Sequence, residues 1–301
     1  MARLDTMRWT RSAAAVSLLG LAQLAHAGQT PSLPPAELVR LTVQNEVKAA
    51  QSSSARHMFV SLKETPRGSQ TKLYCETKDA MAGMAIAFDR KPLTIPQRQA
   101  EETRLDQLAN NPAELAKKRQ REKDDAERVS RIVRAMPDAF LFDFDGTEPG
   151  QPGVGKEGDE LVRLKFRPNP RYEPPSRVEQ VLTGMQGVLL IDANRRRIAR
   201  IDGTLFKEVS FGWGILGHLD KGGHFLVEQS DLGDGAWDVA RMSLALTGKI
   251  LIFKHLDIRS TETYSDFRPV PDGLTFAQGV ELLKKQEATL ADNQRSETDR
   301  K

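Results

Sequence analysis

The period of the apolar positions changes several times along the chain, and each change marks an element. From Pro35 to Ala50, Leu38, Leu41, Val43 and Val47 recur at near-helical spacing behind a Pro-rich stretch (TPSLPPAE), which predicts one helix with proline at its start. Between His57 and Phe88 the pattern shortens to HMFVSLKE, KLYCETK and MAIAFDR, strand-length runs with PRGS as the first turn, hence a small meander. Residues Pro96 to Met136 are dense in Lys, Arg, Glu, Asp, Gln and Ala, with sparse Leu and Val. Asn111-Pro112 divides this stretch into two charged helices, an insertion or a lid. Strands then dominate to residue 268. In ELVRLKFR, Val162, Leu164 and Phe166 fall on one face and Arg163, Lys165 and Arg167 on the other, the alternation of a half-buried antiparallel strand. PSRVEQVLTGMQG (175–187) reads as a short helix. GVLLID (187–192) and RIARIDG (197–203) flank a polar turn, HFLVEQS (224–230) precedes AWDVARMSLAL (236–246), and TGK is expected to turn the chain into ILIFKHLDI (250–258). Leu274 to Leu290 reads as a terminal helix, followed by a polar tail over 291–301.

Ahead of these elements stands a segment of different character. Arg3, Arg8 and Arg11 precede an apolar run from Ala13 to Leu24, and Ala25 and Ala27 then frame His26 as A-x-A. This is the build of a cleavable signal peptide over residues 1–27, and its apolar run is shorter than the roughly 20 residues a bilayer span requires. The expected mature protein begins at Gly28 with a leader over 28–34, one α+β domain over 35–290 and no transmembrane segment, in the periplasm or secreted. The residue directly after the expected cleavage site is Gly28, not a cysteine that could take a lipid anchor.

Losing Arg3, Arg8, Arg11 and Asp5 with the signal takes the net charge from +3 to about +1. With both signs interspersed, composition argues against nucleic acid as a partner. The mixed run KKRQREKDDAER (117–128) reads as a solvated helix face. Cys75 is the sole cysteine, so no intrachain disulfide forms, and in KLYCETK it reads as a small buried hydrophobe.

Four motifs invite chemistry. LFDFDGT (141–147) resembles the first motif of the haloacid dehalogenase phosphatases, in which Asp143 would attack and Asp145 would act as acid/base beside Mg²⁺. Here, however, a Gly-rich loop and an antiparallel strand follow it, and Phe140, Phe142 and Phe144 alternate with the two aspartates as on a half-solvated strand. GVGKEG (153–158) precedes a strand instead of opening a helix and so cannot aim a helix N-terminus at a phosphate. His57, His218, His224 and His255 show no zinc-site spacing, and no cofactor or metal is expected. FGWGILGHLDKGGHF (211–225) combines glycines with Phe211, Trp213, Ile215 and Leu216, which fits either a bent core connection or a place where a ligand nears the backbone.

KFRPNP (165–170), the short helix at 175–187 and GVLLIDANRRRIARIDG, after an exported helix and meander, resemble the periplasmic outer-membrane lipoprotein-sorting (LolA/LolB-like) proteins. The likeness is best over 160–268 and looser over 35–90. It implies an α+β fold, a curved antiparallel sheet (an incomplete barrel) packed on helices, with lipid held on the concave side. The charged helices at 96–136 and the C-terminal helix are additions to that plan. Such a trough would be lined by Val162, Leu164, Phe166, Leu190, Phe211, Trp213, Phe225, Val227, Met242 and Phe253, with Leu244 and Ile252 beside them, and no residue is assigned to catalysis. The leading expectation is therefore a non-enzymatic envelope protein that binds an apolar ligand, a lipid or a lipoprotein. The alternatives are a Mg²⁺-dependent phosphatase using Asp143 and Asp145, and an envelope interaction module built on the charged helices.

Overall fold

The computed structural model describes residues 33–52, 55–212, 217–233, 236–250 and 254–298. The expected signal peptide, together with Trp213, Ile252 and Phe253, lies outside the described residues. Helix α1 (Pro35–Ser52) leads into a meander of β1 (Arg56–Thr65), β2 (Gly68–Cys75), β3 (Ala82–Phe88) and the two-residue β4 (Lys91–Pro92). Two helices follow, α2 (Ile95–Ala109) and α3 (Pro112–Ala139). The break between them falls where the sequence puts it: Pro112 opens α3, and the Asn111 side chain accepts a hydrogen bond from Glu114 N at 3.2 Å.

The second half is strand after strand: β5 (Phe140–Pro149), β6 (Glu160–Pro168), β7 (Met185–Asp192), β8 (Arg197–Leu205), the short β9 (Val209–Phe211) and β10 (Gly217–Leu219), β11 (His224–Asp231), β12 (Trp237–Ile250) and β13 (Lys254–Val270). A single-turn α4 (Arg177–Gln180) with a 3₁₀ turn precedes β7, and α5 (Phe276–Thr298) ends the chain. One expected boundary moves. TGK is not a turn: Thr247 to Lys249 lie within β12, and Ile250 still pairs with Lys254 of β13. Gly248 is there for close approach, since a Cβ on it would stand 2.2 Å from the His218 carbonyl of β10.

All strands join one antiparallel sheet in the order β4-β3-β2-β1-β13-β12-β11-β8-β7-β6-β5, with β9 and β10 attached beside β12. The N-terminal meander therefore docks on the C-terminal strand. Nine inter-strand steps separate β3 from β5, which on a flat sheet is about 43 Å. Yet α3 reaches both ends. Glu122 accepts from Met81 N beside β3 at 3.1 Å, and Val133 packs in the core beside β5. Eleven helical residues cover only about 16 Å, so the sheet curls and α3 forms a chord across its concave side. The fold is thus α+β, an unclosed antiparallel sheet packed on helices, with the charged helical pair and the C-terminal helix as expected.

Two cores lie on opposite faces. On the concave face Leu164, Phe166, Leu189, Ile191 and Leu205 pack against Leu38, Val39 and Val43 of α1 and Met136 and Ala139 of α3. On the convex face Leu73, Cys75, Met84, Phe276, Val280 and Leu283 join β2 and β3 to α5. Among the described residues, no helix is long and apolar enough to cross a membrane.

Candidate functional site: the concave face of the sheet

Strand register assigns the residues of the curl to its two faces. Cross-strand partners share a face, so Ile201 and Gly203 of β8 lie beside Val227 and Phe225 of β11, these beside Met242 and Leu244 of β12, and these beside Glu262 and Ser260 of β13. The row continues through Ser61 and Lys63 of β1 to Lys72 and Gln70 of β2. Phe225 and Ile201 pack on the concave core. Beyond them the cover ends. Val227 and Leu244 are half-buried, Met242 is 40% exposed and Ile258, opposite Leu246, is 36% exposed. Above this strip the middle of α3 carries an exposed side chain at almost every position from Lys123 to Val129, the last being 62% exposed. A helix polar nearly all round and packed only at its ends is a solvent-bridging span, and the strip beneath it is an open trough.

The ten expected lining residues divide accordingly. Val162, Leu164 and Phe166 face the concave side but are buried under α1 and α3, as core. Phe211 and Phe225 pack partly against that core, while Val227 and Met242 face the open strip. Leu190 requires a correction. It pairs with Arg163, on the convex face, and is buried there with Leu161, Val154 and Ala199 under the 150–159 loop. GVLLID is apolar on both faces, so its periodicity could not assign sides. Trp213 and Phe253 lie outside the described residues.

Crossing from β12 to β13 the floor turns polar. Ser61 Oγ donates to Glu262 Oε1 at 2.5 Å, and Lys63 Nζ lies 3.8 Å from Glu262 Oε2. Burial first, then Glu262 and Tyr74, raise the Tyr264 phenol. Burial likewise lowers the Lys72 ammonium, with Glu101 opposing it. Periodicity alone could not find this half of the floor, because its strands come from opposite ends of the chain.

Asp143 and Asp145 are on the convex face, in a ladder of ion pairs. Arg167 lies 3.5 Å from Asp143, Lys165 and Arg163 lie 2.6 and 2.9 Å from Asp145, and Arg163 also reaches Glu148 at 3.1 Å. Lys165, then Arg163, hold the Asp145 carboxyl below its ordinary range. Among the described residues, strand β5 is the edge of the sheet and its only strand neighbour is the antiparallel β6, so the two aspartates serve as cross-strand partners of basic residues. The phosphatase alternative loses its footing there. A different group, not flagged by spacing, forms where β9 meets β10. Glu208, His218 and Asp220 bring three ligand atoms within 4.8 Å of one another, though Glu208 also accepts from Ser210 Oγ at 2.8 Å.

Fold and site together define an α+β protein whose unclosed antiparallel sheet carries a partly apolar, partly polar concave trough strapped by a helix. No protein-family model matches the chain, and no curated protein matches it. Among solved structures, the chain is similar to the crystal structure of a domain described as an outer membrane lipoprotein-sorting protein, from Vibrio parahaemolyticus, at 11% identity. That match covers 80% of this chain and 95% of that one, with a TM-score of 0.30.

Proposed function

We propose that this protein is an exported, non-enzymatic carrier that holds an apolar chain, of a lipid or a lipidated partner, in the trough between the sheet and α3. The observation that supports it most is the strip of Val227, Met242, Leu244 and Ile258, which stays half-buried or exposed although Leu164, Leu189 and Leu205, apolar residues of the same sheet face, are buried. Contiguous apolar surface left open on a concave face marks a binding groove. The N-terminal signal pattern supports export, and an apolar cargo that must cross an aqueous compartment needs such a groove.

The test is titration of the detergent-free protein with a dansyl-labelled fatty acid, followed by fluorescence. Saturable one-to-one binding is expected, and a Met242→Glu, Leu244→Glu double variant should weaken it at least tenfold, since each carboxylate would have to be desolvated against the chain. Absence of saturable binding, or undiminished binding by a double variant with unchanged thermal stability, would overturn the proposal.

A further inference from the structure

The trough does not end in apolar residues. At its β2–β3 end a cleft of about 540 Å³ opens between the sheet, α2 and α3, lined among others by Gln70, Lys72, Tyr74, Glu101, Arg104 and Arg121. Its acidic groups are already matched. Glu101 accepts from Arg104 at 2.7 and 2.8 Å and from Ala85 N at 2.8 Å. Glu122 pairs with Lys118 at 2.8 Å and accepts from Met81 N, and Asp125 pairs with Arg128 at 2.5 Å. Once those pairs are made, Lys72 and Arg121 remain as the two cations of the cleft that form no salt bridge among the described residues.

We propose that this cleft is an anion site, in which Lys72 and Arg121 receive a phosphate group borne by the ligand. The proposal rests on the carrier reading for the ligand's tail, which the strip centred on β12, three inter-strand steps from β2, would hold, and adds the chemistry of its head. A half-buried ammonium has lost part of its hydration, so a counter-charge stabilises it more than it would a surface lysine. The guanidinium of Arg121 offers a planar fork suited to phosphate oxygens. Gln70 and Tyr74 supply neutral donors: burial raises the Tyr74 phenol, which stays protonated. The cleft's volume falls in the range of pockets that enclose a small organic ligand, larger than bare phosphate needs.

The experiment compares three probes on the full mature chain by calorimetry at low salt: a single-chain phosphatidylglycerol, a phosphate-free monoacylglycerol of equal chain length, and inorganic phosphate. Tighter binding of the anionic lipid, by about tenfold, is expected. A Lys72→Gln, Arg121→Gln double variant should abolish that preference while leaving monoacylglycerol affinity unchanged. Equal affinity for the two lipids in the parent protein, or a preference that survives the double variant, overturns the anion site and leaves the carrier reading standing. If neither lipid binds but phosphate does, and only with Lys72 and Arg121 present, the site stands with free phosphate as its occupant and the carrier reading falls. If nothing binds, both fall.

Discussion

The floor of the trough depends on a pair of glycines, and that dependence can be measured. Gly203 of β8 lies opposite Phe225 of β11 on one side and Gly187 of β7 on the other. A Cβ on Gly203 would meet Phe225 Cε1 at 2.2 Å and Cδ1 and Cζ at 3.0 Å, so the ring lies flat over the glycine. Two effects compete in Gly203→Ala. Reduced freedom of the unfolded chain favours alanine in a strand by about 0.5–1 kcal/mol. Forcing the ring aside costs about 1–3 kcal/mol, and overpacking wins, with a net loss of about 1–2 kcal/mol. In a Phe225→Leu background the obstruction is gone, and the same substitution should be neutral or slightly stabilising, a coupling of about 1–2 kcal/mol. Gly187→Ala is the control. Its Cβ would stand 1.9 Å from the Asp202 carbonyl oxygen and 2.8 Å from Gly203 Cα, backbone that trimming a side chain cannot move. It should cost more, and Phe225→Leu should not rescue it. Urea denaturation of the four members of the cycle, followed by circular dichroism, gives the coupling. Costs that add to within about 0.5 kcal/mol, or a Gly203→Ala variant more stable than the parent, would refute the reasoning.

Two further outcomes follow from buried titratable groups. Burial raises the Asp238 carboxyl, against the pull of Val239 N and of His57 and Arg197. The folded protein therefore binds a proton more readily than the unfolded chain, and stability is lost as pH rises from about 4 through the folded value. Asp238→Asn should raise the urea midpoint at pH 7 and leave it unchanged near pH 3; a variant less stable than the parent at pH 7 would contradict this. Cys75 is fully buried and its thiol is pushed up to about 11 by burial, with Glu76 adding to the shift. A disulfide-exchange reagent at pH 8 should leave the native protein unmodified and react with one thiol per chain in urea; stoichiometric reaction of the native state would refute the burial.

What the sequence by itself determined is whatever periodicity and local chemistry encode. Val162, Leu164 and Phe166 alternate with Arg163, Lys165 and Arg167 because β6 has a wet face and a dry one, and the ion pairs to Asp143 and Asp145 lie where that alternation puts them. Asn111-Pro112 ends one helix and starts the next through backbone restriction alone. Cys75 reads as buried from its apolar setting. The tertiary structure decided the rest, because it concerns contacts between segments far apart in the chain. Only the docking of β1 on β13 puts Ser61 beside Tyr264 and brings Lys72 into the same concavity as the apolar strip. Only the placement of α1 and α3 turns Leu164 into core and leaves Met242 open, although both are apolar residues facing the same side of one sheet. Leu190 makes the point most simply. In a strand buried on both sides every residue is apolar, the two-residue period vanishes, and the face is set by what packs over it.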